Sequence, residues 1–115
     1  MSNTRVPEQP ILIVDDEESI LLSIDTTLQL AGMDNIITCS DSRQALGIAR
    51  KSQPSTVLLD LNMPHVDGEA VLDQIQSEMP NTPVIIITGR IDAETAVNCM
   101  KSGAFDYIVK PVDEN

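Results

Sequence analysis

Three aspartates, a threonine and a lysine stand at the ends of short apolar runs: ILIV leads into Asp15 and Asp16, VLL into Asp60, VIII into Thr88 and Gly89, and YIV into Lys110 and Pro111. Carboxylates gathered at one place repel by roughly 3 kcal/mol per pair at about 5 Å and an effective dielectric near 20, and a hard divalent cation relieves that strain. An all-oxygen donor set suits Mg²⁺ better than Zn²⁺, which favours histidine or thiolate. The chain has a single histidine, His65. With a cation held by the carboxylates, Lys110 can neutralise a phosphoryl oxygen, Thr88 can donate a hydrogen bond to another, and Asp60 is placed to attack phosphorus. The residue types alone therefore point to phosphoryl transfer onto an aspartate.

These side chains meet only if the runs are parallel strands whose carboxyl ends share one sheet edge. The pattern between the runs supports that arrangement. Residues 1–9 are polar and contain Pro7, so they are expected to form a flexible lead-in before a domain spanning 10–115. A strand at 11–14 is followed by a helix at about 17–31, with Ile20, Leu21, Ile24, Leu28 and Ala31 on one stripe and Gly32 as its stop. A strand at 35–39 precedes a helix capped by Asp41 or Ser42, which buries Ala45, Leu46, Ile48 and Ala49 and ends before Pro54. The strand at 56–59 delivers Asp60; the next helix turns Ala70, Val71, Leu72, Ile75 and Met79 inward. The strand at 84–87 delivers Thr88, a helix at about 92–102 is expected to bury Ala93, Ala96, Val97 and Met100, and Gly103 closes it before a strand at 107–109. Five strands alternating with helices of this length predict an α/β, doubly wound, five-stranded parallel sheet. The order 2-1-3-4-5 puts strands 1 and 3 side by side, so Asp15, Asp16 and Asp60 should converge.

Composition narrows the function classes. At 115 residues the chain fits one domain, and its net charge of −11 disfavours direct contact with nucleic acid or an anionic membrane. No run of eighteen apolar residues and no signal peptide is present, and Cys39 and Cys99 form no CxxC pair, so a cytoplasmic, reducing setting with both thiols as buried fillers is expected. The segment DDEES follows the first strand where a phosphate-binding loop would need glycines, which disfavours nucleotide or flavin phosphate binding. Asp60 is followed by LNMP rather than the second aspartate of a haloacid-dehalogenase phosphatase. Glu17, Glu18 and Asp67 read as solvated charges, His65 as an exposed loop residue, and Phe105 and Met63 as packing residues.

ILIVDDE at 11–17, LLDLNMPHVDG at 58–68, IIITG at 85–89 and GAFDYIVKP at 103–111 occur in an order and spacing that resemble the receiver domains of two-component response regulators, over residues 10–113. The resemblance implies a flavodoxin-like, CheY-like fold. It implies that Asp60 is the phosphoacceptor, that Asp16, Asp60 and the carbonyl of Asn62 bind Mg²⁺ directly, and that Asp15 acts on the ion through water. Thr88 and Lys110 would contact the phosphoryl group, helped by the Gly89 amide. Tyr107 would turn inward when Thr88 moves toward that group, and Arg90, two residues after Thr88, could tune water access. The donor would be a sensor histidine kinase or phosphotransfer protein docking near Ser19, Ile20 and the Pro111 loop, or a small phosphodonor such as acetyl phosphate. The domain would catalyse its own phosphorylation and slow dephosphorylation while serving mainly as a regulatory switch. Within the family, TGRIDAETAVNCMKSGAFDYIVKP resembles receivers of sigma-54-dependent, NtrC-like transcriptional activators.

The resemblance also implies a cis Lys110–Pro111 bond and a fifth helix after the last strand. The sequence stops at Asn115, so that helix is largely missing from this chain and the flank it would cover is expected to be exposed. A homodimer through the fourth helix and fifth strand is the expected association. The competing class is a docking scaffold that keeps the sheet but takes no phosphate.

Overall fold

Every apolar run becomes a strand in the computed structural model, which describes residues 9–61, 67–89 and 93–110. The strands are β1 (Ile11–Val14), β2 (Ile36–Cys39), β3 (Thr56–Asp60), β4 (Val84–Thr88) and β5 (Asp106–Val109). Between them run α1 (Glu18–Leu30), α2 (Ala45–Ser52) after a 3-10 turn at Ser42–Gln44, α3 (Gly68–Glu78) and α4 (Ala93–Lys101). All pairings are parallel and the order is β2-β1-β3-β4-β5, as the sequence predicts.

Handedness sorts the helices. The step from β1 to β2 runs one way across the sheet and every later step runs the other way, so right-handed crossovers put α1 on one face and α2, α3 and α4 on the opposite face. Strand alternation agrees: Leu12, Val14, Val57, Leu59, Val84 and Ile86 form one core with Ala45, Ala49, Val71, Leu72 and Ile75. Buried Ile13 and Leu21 lie outside that cluster, on the α1 side. On the same side Leu58, Ile85 and Ile87 are only half-buried and Ile108 is 52% exposed, because no described helix lies over β3, β4 and β5 there. The uncovered flank expected from the sequence is thus present among the described residues.

Several expected core positions are not in the core. α4 was expected to bury Ala93, Ala96, Val97 and Met100, yet Ala93, Val97 and Met100 are exposed and Ala96 is half-buried. Its buried residue is Cys99. The apolar stripe of α4 lies toward β5, an edge strand paired only with β4, and all four residues of β5 are themselves exposed. Ala70 and Ala31 also face solvent at the ends of their stripes, and Phe105 is 68% exposed rather than packed. Both cysteines are free and buried, as fillers should be.

Local signals explain where the elements end. Asp41 accepts a hydrogen bond from the Arg43 amide and Asp67 accepts one from the Glu69 amide, each satisfying a donor at a helix start. Asp67 is therefore a cap rather than a merely solvated charge. Gly32 and Gly103 follow α1 and α4 at φ +93° and +104°, in the left-handed region that glycine enters without strain.

Candidate phosphoacceptor and metal site

Parallel register brings the strand ends together. Asp15 follows β1, Asp60 ends β3 beside Ile87, Thr88 ends β4, and the Lys110 amide donates to the Thr88 carbonyl at 2.7 Å, extending the β4–β5 ladder by one bond. The Asp15 amide likewise donates to the Cys39 carbonyl at 3.0 Å, so β2 fixes the other margin. Asp15, Asp60 and Thr88 are almost fully buried, whereas Asp16 is exposed at the opening. One carboxylate oxygen from each of Asp15, Asp16 and Asp60 lies within 4.8 Å of the others, the group that the sequence predicted. Three oxygens from a buried and an exposed margin make a donor set that fits a hard divalent cation.

Lys110 is the counter-charge. Its Nζ lies 2.8 Å from Asp15 Oδ2, 3.6 Å from Asp60 Oδ2 and 3.5 Å from Glu17 Oε1. Asp15 Oδ2 has no other hydrogen-bond partner among the described residues, and its Oδ1 accepts the Glu17 amide at 2.9 Å. Burial is the largest single influence on the Lys110 ammonium and opposes it, but the combined pull of Asp15, Asp60 and Glu17 wins and holds the amine above its ordinary value.

Sequence reasoning missed Glu17. Its sequence setting predicts a solvated charge, and it is 61% exposed, but it also reaches the lysine. Its neighbour Asp15 was identified, and the spacing of two residues was the only available signal. Asn62, Arg90, Met63, His65 and the Lys110–Pro111 bond lie outside the described residues. Gly89 is exposed directly after β4, and Tyr107, 39% exposed, shares a sheet face with Thr88 because it pairs with Ile86.

The two buried thiols shift in the same direction as Lys110. Burial raises the thiols of Cys39 and Cys99, with nearby carboxylates adding to the effect at Cys99. All three groups hold their protons more tightly in the folded chain. Their stabilisation is complete below the unfolded values, about 8.5 for cysteine and 10.4 for lysine, and is lost as pH rises through the folded ones. The urea midpoint is therefore expected to fall from about pH 8.5 upward, and a midpoint that climbs over the same interval would contradict these assignments.

Comparison with known proteins agrees with this geometry. Residues 11–115 match the response regulator receiver domain family. Regulatory protein AtoC of Escherichia coli K12 is 39% identical over 103 residues, covering 90% of this chain and 22% of AtoC. The chain spans between 22% and 46% of the length of the curated relatives it matches first. A receiver domain of Methanospirillum hungatei superposes with a TM-score of 0.85 at 28% identity, covering 92% of this chain and 84% of that one. The beryllofluoride-activated NtrC4 receiver dimer superposes with a TM-score of 0.82 at 34% identity, covering 91% and 86%. With the family match running over residues 11–115 and a relative 39% identical over 90% of the chain's length, the chain belongs to the response regulator receiver domain family.

Proposed function

We propose that the chain is a phosphorylation switch in which Asp60 takes a phosphoryl group from a phosphohistidine on a sensor histidine kinase or phosphotransfer protein. The observation that carries this reading is the buried Asp60 carboxylate beside Asp15 and Asp16, with the Lys110 ammonium 3.6 Å away. Asp15, Asp16 and Asp60, with the Asn62 carbonyl, would hold Mg²⁺, which when bound supplies charge neutralisation at the phosphoryl oxygens. An Asp60 oxygen forms the new P–O bond as the P–N bond to imidazole breaks, and Lys110 and Thr88 offer the ammonium and hydroxyl that steady the transferred oxygens, with the Gly89 amide beside them. Water later cleaves the acyl phosphate, and Arg90 is a candidate for tuning its approach.

Transmission would begin at Thr88. A hydroxyl drawn toward the phosphoryl group vacates space on the face it shares with Tyr107, whose ring could then move inward and alter the α4–β5 surface. Ala96, Val97, Met100 and Tyr107 line one open groove there, the proposed face for a homodimer. The NtrC4 receiver, itself a dimer, supports placing this chain with NtrC-like transcriptional activators. A cytoplasmic setting fits this role; no described helix is long and apolar enough to cross a membrane. The −11 net charge leaves nucleic-acid contact to other parts of such a regulator.

Incubated with Mg²⁺ and acetyl phosphate, the chain is expected to gain about 80 Da by intact mass, the mass of one phosphoryl group, and Asp60→Asn to gain nothing. No adduct from any donor would favour the docking scaffold instead.

A further inference from the structure

Glu17 occupies the N-cap of α1 with extended backbone angles, φ −94° and ψ 113°, yet its side chain makes no capping hydrogen bond. Serine, threonine, aspartate or asparagine would be the usual choice there. Its backbone does all the local work: the amide donates to Asp15 Oδ1 at 2.9 Å, and the carbonyl accepts from the amides of Ile20 at 3.0 Å and Leu21 at 3.1 Å. The carboxylate instead extends to within 3.5 Å of Lys110 Nζ. Of the three carboxylates around that ammonium, Glu17 alone stands outside the Asp15, Asp16 and Asp60 group, and it alone is largely exposed.

We propose that Glu17 is an anionic guard on Lys110, a positioning residue that slows phosphorylation by small dianionic phosphodonors. The proposal rests on the receiver reading above. A donor dianion entering the cleft needs the Lys110 ammonium for one of its phosphoryl oxygens and meets the Glu17 carboxylate already beside it. The two anions compete for one cation, and they repel each other across an opening that water screens only in part. Because Glu17 acts through charge and through Lys110, its effect should weaken with salt, whereas a structural effect on the α1 start should not.

Initial rates of adduct formation from acetyl phosphate at fixed Mg²⁺ test this, with Glu17→Gln compared with the parent and with Glu18→Gln. The Glu18 variant removes the same charge one residue further along, in the first turn of α1. At low ionic strength Glu17→Gln is expected to react roughly three-fold faster than the parent, Glu18→Gln to stay close to the parent, and the Glu17 difference to shrink as salt rises. Equal or slower reaction of Glu17→Gln, an equal gain in both variants, or a difference indifferent to salt would each overturn the guard while leaving the receiver reading intact. A parent that takes no phosphoryl group would overturn both.

Discussion

In EDTA, Lys110→Met is expected to unfold at a markedly lower urea concentration than the parent, with a loss of about 3 kcal/mol, and Mg²⁺ should recover most of that loss. Asp15 and Asp60 are each 2% exposed at their side chains, and Lys110 is the cation closest to both among the described residues. A methionine keeps the length and apolar stem of the lysine but leaves Asp15 Oδ2 buried without its ammonium. Removing one member of a buried ion pair typically costs about 3–5 kcal/mol, and the low end applies because the cleft opens to water at Asp16 and Glu17. A bound divalent cation would replace the missing charge. At one hundred times its dissociation constant it stabilises by about 2.7 kcal/mol, and without a competing ammonium it should bind Lys110→Met more tightly than the parent. The Mg²⁺-induced rise in urea midpoint should therefore be larger in the variant. Equal midpoints in EDTA would show that Lys110 does not hold the cluster together, and a smaller Mg²⁺ response in the variant would remove the carboxylates as the cation site.

The strands and the site were legible for the same reason. A fully buried parallel strand must be apolar along its whole length, so ILIV, VLL and VIII announce both the strand and the point where the first polar side chain emerges. Asp15, Asp60 and Thr88 are such points, and the strand order then follows from ordinary crossover rules. Helices are less informative, because an amphipathic stripe states what could be buried and not what lies opposite. The stripe of α3 meets β3 and α2 and closes on Val71, Leu72 and Ile75; the equally regular stripe of α4 meets an edge strand and leaves Val97 and Met100 open. Glu17 was illegible for a third reason. Its partner lies 93 positions away on β5's carboxyl end, and an exposed glutamate in a run of four acids has no pattern that separates it from Glu18.

Replacing Gly68 with alanine should damage the same site from outside it. Gly68 is the buried first residue of α3, and a Cβ there would stand 2.6 Å from the Leu61 Cα, 2.9 Å from the Leu61 carbonyl oxygen and 3.0 Å from the Asp60 carbonyl oxygen. None of these atoms belongs to a side chain that could swing away, so either the helix start or the backbone carrying Asp60 must move. Overpacking of this kind costs about 1–3 kcal/mol, which exceeds the roughly 1 kcal/mol that alanine gains over glycine in a helix. Gly47 provides the opposite case: it lies exposed within α2 with nothing near its missing Cβ. Gly47→Ala should therefore raise the urea midpoint, by the equivalent of up to about 1 kcal/mol, and keep the parent's Mg²⁺ response. Gly68→Ala should lower the midpoint and also shrink the Mg²⁺-induced rise, because Asp60 shares the displaced backbone with Leu61. If Gly68→Ala matched Gly47→Ala in sign, α3 could shift without cost and Gly68 would not fix the position of Asp60. If it lost stability but kept the full Mg²⁺ response, the strain would be taken up by the helix alone, and Asp60 would be held by β3 rather than by this contact.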